Sequence, residues 1–351
     1  MKTLMKGNEA IAQAAINAGC DAFFGYPITP QNELTEYMAK YLAQAHKVFV
    51  QAESELAAIN MVYGAAATGA RAMTSSSSPG IALKQEGISY CAGAELPTVI
   101  VSISRGGPGL GGILPAQSDY NQATRGGGNG DYKVLVLAPN GVQEATDMVH
   151  DAFVLAEKYR NPVMVMADGV IGQMMEAVEL KSEPLGPIKG DWFASGGRIG
   201  QERNKVSSVH LDPHELEDHN HKLFRKYAQM EKEEARLESF MVEDADVVLV
   251  AYGTPSRIVK SAILQMREMG IKAGLLRPQT LYPFPKQQIY EAVQAKKFVM
   301  VVELSMGQMV YDVELSVKNT CPVYFYGRVG GVIFEPQEII DEVKKHLGGA
   351  Q

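Results

Sequence analysis

The stretch Asp21-Ala22-Phe23-Phe24-Gly25-Tyr26-Pro27-Ile28-Thr29-Pro30 decides the fold of this chain. Its first four residues predict a short buried strand, and the last six predict a loop. Two prolines within four residues make the loop stiff, and Thr29 is held in an extended backbone because it precedes Pro30. A strand that runs into a stiff polar loop predicts a ligand site, because ligands of open parallel sheets bind beyond the carboxyl ends of the strands.

On both sides of this loop, amphipathic helices alternate with short apolar runs, which is typical of a largely parallel α/β sheet. Asn8 is predicted to cap a first helix that ends near Gly19, and the amino terminus is expected to run straight into that helix. The loops after Phe24, Val50, Thr74 and Ser102 should converge on one site. The predicted elements are strands at 48–50, 71–74, 98–102, 132–137 and 162–166 and helices at 53–68 and 142–158.

The pattern divides the chain into residues 1–184, a connector arm at 185–242 and a smaller α/β domain at 243–351. Glycine and proline interrupt the periodicity after residue 184, and Asp212-Pro213 then starts a charged helix predicted to reach about Ser239. The strands predicted for the second domain are 246–251, 273–276, 298–302 and 323–326.

Composition excludes several classes of protein. Of the 351 residues, 46% are apolar and 21% are charged, as in globular α/β proteins. The net charge of −7 gives no basic footprint for nucleic acid, and no apolar run is long enough to span a membrane. Without a signal-peptide pattern, we expect a cytoplasmic protein. Cys20, Cys91 and Cys321 are far apart, so we expect no metal site or iron–sulfur cluster on this chain alone.

Three segments carry a family resemblance: Gly25-Tyr26-Pro27-Ile28-Thr29-Pro30, Gln51-Ala52-Glu53-Ser54-Glu55-Leu56-Ala57-Ala58, and Thr74-Ser75-Ser76-Ser77-Ser78-Pro79-Gly80. Together they resemble the pyrimidine-binding domain of the 2-oxoacid:ferredoxin oxidoreductases. Residues 276–283 resemble the transketolase carboxyl-terminal-like domain of the same subunits. The resemblance implies a thiamine-diphosphate-binding parallel-sheet domain followed by that smaller domain.

In this family a glutamate binds N1′ of the thiamine aminopyrimidine and promotes loss of the C2 proton. The resemblance assigns that role to Glu55 and leaves Glu53 as a solvated or structural neighbour. Taken alone, both residues could be ordinary first-turn glutamates stabilised by the helix dipole.

The resemblance also implies that Thr29 and Arg105 hold the carboxylate end of a 2-oxoacid. On the residues alone, Thr29 could be a turn residue and Arg105 a surface arginine. The expected cofactor-binding residues are Tyr26, Pro27, Ile28, Thr29, Glu55, Ser76, Ser77 and Ser78. One serine of the run Ser75–Ser78 is also expected to cap the next helix through its side chain.

Two absences imply partner chains. Thiamine enzymes bind Mg²⁺ and diphosphate through a Gly-Asp-Gly motif and an Asn about 25 to 30 residues later. Here Ala167 precedes Asp168-Gly169, and no Asn lies at that distance. The resemblance therefore implies a beta subunit that carries the diphosphate and Mg²⁺ site. It also implies [4Fe-4S] clusters on partner chains, gamma or delta (ferredoxin-like) subunits, and ferredoxin as electron acceptor.

Two other patterns are discounted. Residues 107–112 match Gly-x-Gly-x-x-Gly, but Pro108 lies inside the match, so we expect a flexible active-site or subunit-contact loop. His210, His214, His219 and His221 lie among acidic residues of the charged arm, where a metal site is not expected.

The implied activity is CoA-dependent oxidative decarboxylation of a 2-oxoacid to its acyl-CoA with reduction of ferredoxin, performed by an alpha subunit. Residues 4–10 and 51–80 most resemble the 2-oxoisovalerate (branched-chain) type. A 2-oxoglutarate-specific alpha subunit, a noncatalytic thiamine-domain scaffold and a thiamine enzyme that needs no ferredoxin are the alternatives.

Overall fold

The structure is a computed structural model that describes residues 2–194 and 204–348. Strands and helices alternate through most of this part of the chain. Its first half contains β1 (Thr3–Lys6), α1 (Gly7–Asn17), β2 (Ala22–Gly25), α2 (Asn32–Gln44), β3 (Val48–Gln51), α3 (Glu55–Ala67), β4 (Ala72–Ser76), α4 (Ser78–Gly93), β5 (Thr98–Ser104), α5 (Tyr120–Arg125), β6 (Leu135–Leu137), α6 (Val142–Tyr159), β7 (Val163–Asp168), α7 (Gly169–Gln173) and β8 (Met175–Val178).

The second half begins with a long helix. It contains α8 (Pro213–Glu233), β9 (Leu237–Phe240), β10 (Val247–Val250), α9 (Gly253–Glu268), β11 (Ala273–Pro278), β12 (Thr280–Tyr282), α10 (Lys286–Ala292), β13 (Phe298–Glu303), α11 (Met309–Val317), β14 (Val323–Gly327) and α12 (Pro336–Gly348).

A seven-stranded sheet, in the order β12-β6-β7-β5-β4-β2-β3, forms the larger half of the fold. All of its pairs are parallel except β12 with β6. Strand β5 is buried along its whole length because helices cover both faces of the sheet. Val99 and Val101 pack with Ile11 of α1, whereas Ile100 between them packs with Ile59 and Ile88 of α3 and α4.

A five-stranded sheet, in the order β14-β13-β10-β11-β9, forms the smaller half. Its pairs are parallel except β9 with β11. Helices α9 and α12 pack over one face, through residues such as Ile263 and Ile340. The predicted α/β class is therefore confirmed. Six strands of the larger sheet precede the smaller sheet in the chain, and its edge strand β12 follows β11. The boundaries at 184 and 242 stay predictions, and residues 195–203 of the expected arm lie outside the described residues.

Two predicted elements were wrong in extent. The charged helix ends at Glu233 rather than near Ser239, because Leu237–Phe240 pairs with β11 as an edge strand. The amino terminus does not run straight into a helix, because Thr3–Lys6 pairs with β8. In both cases a distant strand supplies the main-chain partners, which local periodicity cannot reveal.

The predicted role of Asn8 as a helix cap was also wrong. Lys6 occupies the N-cap position of α1, and Asn8 lies within the helix and is completely buried. Its Nδ2 donates to the main-chain O of Pro30 at 2.7 Å. Asn8 therefore fixes the end of the Tyr26–Pro30 loop.

Arg277 joins the two sheets. It lies at the end of β11, is 2% exposed, and donates from both terminal nitrogens to the Glu144 carboxylate of α6 at 2.7 and 2.9 Å. Its Nε donates to Glu238 of β9 at 2.5 Å. This charge-assisted network holds helix α6 of the larger half against the smaller half.

We predict that Arg277→Met lowers the free energy of unfolding by about 2–4 kcal/mol, because two carboxylates lose a buried cation. Chemical denaturation of the full chain measures the change. The control is Lys297→Met, which removes an exposed ion pair with Asp246 and should cost about 0–1 kcal/mol. Equal effects of the two substitutions would contradict the assigned role of Arg277.

Candidate functional site

The loops that follow β2, β3, β4 and β5 meet at the carboxyl edge of the larger sheet, as the topology requires. The main-chain N of Ala52 donates to the O of Gly25 at 2.9 Å, which ties the segment before α3 to the Tyr26–Pro30 loop. The predicted site residues on these loops therefore share one edge of the sheet.

Glu55 is the first residue of α3 and is only 7% exposed. The helix starts here because the Ser54 hydroxyl caps it, accepting from the Ala57 N at 3.1 Å. Glu53, two residues earlier, is exposed to solvent. The structure thus separates two glutamates that the sequence alone presents as similar.

Gly80 allows the Glu55 side chain to lie against α4. A Cβ atom on Gly80 would lie 2.7 Å from Oε1 of Glu55 and would overlap the Ser76 hydroxyl. Glu55, Ser76 and the first turn of α4 therefore meet at a point where only glycine fits.

Buried hydroxyl groups lie along β4 and the turn into α4. The side-chain oxygens of Thr74, Ser76 and Ser77 are buried and have no hydrogen-bond partner within the described chain. Buried hydroxyls usually find partners, so these atoms are available to a bound polar group.

One serine of the run takes the N-cap position of α4, as predicted, but the expected side-chain hydrogen bond is absent. Ser77 occupies the N-cap position, but its hydroxyl accepts no bond from the helix. The reason is local: Pro79 has no N–H, and the Gly80 N donates to the main-chain O of Ser77 at 2.7 Å.

Arg105 and Thr29 are brought together, as the sequence predicts. Nη1 of Arg105 donates to the main-chain O of Thr29 at 2.8 Å, and Nη2 donates to that of Leu110 at 3.2 Å. Its Nε has no partner within the described chain. The guanidinium thus braces the two loops, and its Nε–H is left without an acceptor in the described chain.

Ser78 connects this arginine to Asp119. The Ser78 hydroxyl accepts from the Arg105 N at 3.0 Å and also contacts the Asp119 carboxylate closely. Burial raises the pKa of Asp119 above its ordinary value, against the lowering effect of the bond from Ser78. Sequence reasoning did not find Asp119, since nothing in its local pattern marks it.

The remaining loop residues are less enclosed. Tyr26 is 38% exposed and Pro27 is exposed, while Ile28 is partly buried. Ser75 donates to Oε1 of Gln31 at 2.5 Å, which links the serine run to the residue after Pro30. No hydrogen bond joins Tyr26, Pro27 or Ile28 to Glu55 in the described chain.

Lys84 is a second residue that sequence reasoning missed. It is completely buried, and its Nζ donates to the main-chain O of Glu55 at 3.4 Å. Burial lowers the pKa of Lys84 to about 8, although the negative charge of Glu55 opposes the shift. The sequence did contain a signal for a buried lysine. Ile81, Ile88 and Cys91 recur at helical spacing along the buried face of α4, and Lys84 lies on that face between them.

A cavity of about 550 Å³ lies between the two halves, beside the first turn of α4. Its lining includes Ser78, Asp119, Pro108 and Met306. Glu55 and Thr29 are not among its lining residues.

The discounted motifs have structural roles. The glycine-rich loop is closed by the Gly112 N, which donates to the main-chain O of Gly106 at 2.9 Å, and it exposes Leu110. Nε2 of His219 lies 2.7 Å from the main-chain O of Gly93, and its ring stacks on His210. Residues 2–194 and 204–348 contain no group of three or more side chains placed to hold a metal.

Asp168 also has a structural role. Its Oδ1 accepts from the N–H groups of Val170 and Ile171 and from the Thr254 hydroxyl. It therefore caps α7 and fastens it to the smaller half. In the described residues no helix is long and apolar enough to cross a bilayer.

Comparison with known proteins places this geometry in a family. Residues 13–237 match the pyruvate flavodoxin/ferredoxin oxidoreductase, thiamine diP-binding family, and residues 245–339 match the pyruvate:ferredoxin oxidoreductase core domain II family. The chain belongs to the pyruvate flavodoxin/ferredoxin oxidoreductase family. The expected class of enzyme, an oxidoreductase subunit of the 2-oxoacid:ferredoxin type, is confirmed.

Among curated relatives, the ketoisovalerate oxidoreductase subunit VorB of Methanothermobacter marburgensis is 49% identical over 98% of each chain. The 2-oxoglutarate synthase subunit KorA of Methanocaldococcus jannaschii is 37% identical over 95% of this chain and 97% of that protein.

Solved structures agree on the fold. The 2-oxoglutarate:ferredoxin oxidoreductase from Magnetococcus marinus, solved with 2-oxoglutarate, coenzyme A and succinyl-CoA bound, has a TM-score of 0.84 and 28% identity. The match covers 99% of this chain but 65% of that one. A split-gene transketolase, at 14% identity and a TM-score of 0.61, shares the fold over 98% of both chains. The expected thiamine-diphosphate-binding and transketolase-like fold is therefore confirmed.

We predict that Gly80→Ala lowers the free energy of unfolding by about 1–3 kcal/mol, because the new methyl group forces Ser76 and Glu55 apart. The matched control is Gly64→Ala at an exposed position of α3, where a Cβ meets nothing within 4 Å. That change should stabilise the chain by about 0.5–1 kcal/mol. Urea denaturation of both variants measures the changes, and a neutral Gly80→Ala would refute the packing described.

We also predict a pH-dependent difference between wild type and Lys84→Met. The pKa of Lys84 is about 8 in the folded chain and is lowered from 10.5, so between these values the unfolded chain binds more protons. Wild-type stability should therefore rise, relative to the variant, as the pH increases from about 8 to 10.5, by at most about 3 kcal/mol. Denaturant midpoints across this range measure it, and a parallel pH dependence would contradict the burial of a titrating amine.

Proposed function

We propose that this chain is the alpha subunit of a 2-oxoacid:ferredoxin oxidoreductase that converts 2-oxoisovalerate, with CoA, to its acyl-CoA and reduces ferredoxin. The observation that carries the proposal is the buried Glu55 carboxylate at the carboxyl edge of the larger sheet, packed against Gly80.

The residues fit thiamine diphosphate in three respects. Glu55 offers a buried hydrogen-bond acceptor, Ser76 and Ser77 offer unpartnered buried hydroxyls, and the Tyr26–Pro30 loop forms the adjoining rim. We assign Glu55 to N1′ of the pyrimidine ring and Tyr26, Pro27, Ile28, Thr29, Ser76, Ser77 and Ser78 to the surrounding pocket. When bound, thiamine diphosphate would supply a nucleophilic carbon for chemistry at a keto group.

At this edge, the chain's own residues fix a proton acceptor and orient the substrate. Glu55 keeps an acceptor fixed at the start of α3, where the helix dipole favours its negative charge. We assign Thr29 and Arg105 to the carboxylate end of the 2-oxoacid, for which the free Nε–H of Arg105 is available. Packing of Gly80 against Glu55 excludes water from one side of the acceptor.

Partner chains complete the proposed enzyme. The Asp168 carboxylate already accepts from two N–H groups at the start of α7. We therefore assign the diphosphate and Mg²⁺ to a beta subunit. The [4Fe-4S] clusters belong to the beta subunit and to gamma or delta chains, and the complex is cytoplasmic. No metal ligands are assigned to this chain.

The branched-chain substrate is favoured by sequence similarity. Identity is 49% with a ketoisovalerate oxidoreductase subunit and 35–37% with 2-oxoglutarate synthase subunits over similar lengths. The reconstituted complex should therefore turn over 2-oxoisovalerate with a kcat/KM at least about 10-fold above those for 2-oxoglutarate and pyruvate. Ferredoxin or viologen reduction measures the three rates. Preference for 2-oxoglutarate would assign the chain to the other branch of the family.

Glu55→Gln should lower kcat of the assembled complex by at least about 100-fold, because an amide cannot take up or release the proton at N1′. The control Glu53→Gln changes an exposed carboxylate in the same segment and should leave kcat unchanged. Both variants should assemble normally. Undiminished turnover by Glu55→Gln would support a noncatalytic scaffold instead.

A further inference from the structure

The glycine-rich loop between β5 and α5, residues 106–114, is closed at its base. The main-chain N of Gly106 donates to the O of Leu114 at 3.0 Å, so the first and last residues of the loop are joined. Gly111 has a φ of +56°, and a Cβ there would overlap the main-chain O of Gly106. The loop therefore holds its tip at a defined place on the surface.

The loop exposes large apolar side chains. Its sequence, Gly-Gly-Pro-Gly-Leu-Gly-Gly-Ile-Leu, contains no charged or polar side chain. Leu110 is the only one of the first seven residues that is neither glycine nor proline, and it is 82% exposed. Ile113 is exposed as well, whereas Leu114 packs against Gly331 of the smaller half. Exposed apolar groups that cluster in this way commonly mark a binding site.

Arg105 holds the tip of the loop beside Thr29. Its Nη2 donates to the main-chain O of Leu110 at 3.2 Å, and its Nη1 donates to that of Thr29 at 2.8 Å. Both nitrogens belong to one planar guanidinium, so the two main chains bind the same small group. Leu110 therefore shares the arginine that is assigned to the carboxylate of the substrate.

Ile113 adjoins the end of the same rim. A Cβ on Gly169 would lie 3.7 Å from the main-chain O of Ile113 and 3.3 Å from Cγ of Pro30. The returning limb of the loop thus passes close to Pro30, while its tip is held to Thr29. The two exposed apolar residues flank the edge to which the 2-oxoacid is assigned.

We propose that Leu110 and Ile113 receive the alkyl side chain of the 2-oxoacid and so select a branched-chain substrate over a dicarboxylic one. The inference rests on the proposed function and names the residues that set its specificity. In a 2-oxoacid only the keto carbon separates the carboxylate from the side chain. A substrate whose carboxylate is bound at Arg105 therefore presents its side chain to the residues around that guanidinium.

The chemistry of the loop decides which side chain is favoured. An isopropyl group leaves water when it packs against leucine and isoleucine, and this transfer is favourable. The distal carboxylate of 2-oxoglutarate would lose water at the same place without gaining a partner, because the loop offers no charged or polar side chain. The loop thus attracts one substrate and rejects the other.

The first test changes Leu110 to lysine in the assembled complex. The ratio of kcat/KM for 2-oxoisovalerate to kcat/KM for 2-oxoglutarate should fall at least about 10-fold, because a cation that suits the distal carboxylate replaces an apolar contact. Ile113→Lys should change the ratio in the same direction. The control, Leu211→Lys, alters a leucine of the arm that is 93% exposed and should keep the wild-type ratio. An unchanged ratio in both loop variants would overturn the proposal.

A second substitution separates apolar contact from charge. Leu110→Ala keeps the loop apolar but shortens the side chain, so kcat/KM for 2-oxoisovalerate should fall about 10-fold. The value for pyruvate should stay within about 2-fold of wild type, because its methyl group makes less contact. Equal losses for both substrates would show that the loop only supports Arg105, and would refute selection by the substrate side chain.

A partner subunit is the competing occupant of this surface. Sedimentation of the reconstituted complex should show wild-type assembly for Leu110→Lys and for Ile113→Lys. Loss of assembly would assign the two side chains to a subunit contact and overturn the proposal.

The same measurements separate this inference from the proposed function. If the wild-type complex prefers 2-oxoglutarate or pyruvate, the proposed function fails, and a ratio that still changes in Leu110→Lys leaves the loop as a determinant of side-chain selection. If the wild-type complex prefers 2-oxoisovalerate and the ratio does not change, the function stands and the role of the loop is refuted.

Discussion

The contact of the Glu55 carboxylate with Gly80 is the constraint on which the rest of the site depends. It requires α3 to begin at residue 55, which the Ser54 cap ensures, and it requires α4 to begin within two residues of β4. The parallel sheet satisfies both conditions, because it places the ends of β3 and β4 on the same edge. A buried carboxylate is costly, and its position at the start of α3 offsets part of that cost because the helix dipole favours a negative charge there.

The surrounding loops are held by main-chain contacts from residues far away in sequence. Asn8 donates to the O of Pro30, Arg105 donates to that of Thr29, and Ser78 binds the N of Arg105. Each of these bonds fixes a backbone atom, so the loop keeps one shape although Tyr26 and Pro27 are exposed. A stiff rim beside an open edge suits a site that another polypeptide completes, which agrees with the partner chains proposed above.

Much of the fold could be predicted because its signals are local. Short apolar runs predicted the parallel strands, and helical spacing predicted α3 and α6 nearly to their ends. The errors occurred where pairing with a distant strand determined the secondary structure. Leu237–Phe240 is a strand because it pairs with β11, and Thr3–Lys6 is a strand because it pairs with β8. The hydrogen bond expected from a capping serine of α4 is absent for a local reason: Pro79 has no N–H, and that proline is visible in the sequence.

For the site, the sequence by itself determined the inventory: a glutamate after a capping serine, a serine run before a proline and glycine, and a stiff Tyr-Pro-Ile-Thr-Pro loop. These features are fixed by covalent chemistry and near neighbours. Only the tertiary structure decided that Glu55 is buried and Glu53 exposed, that Arg105 braces Thr29, and that Lys84 lies beneath Glu55. Burial and charge pairing depend on which distant elements pack together. The local sequence of one strand or helix does not specify those packing partners.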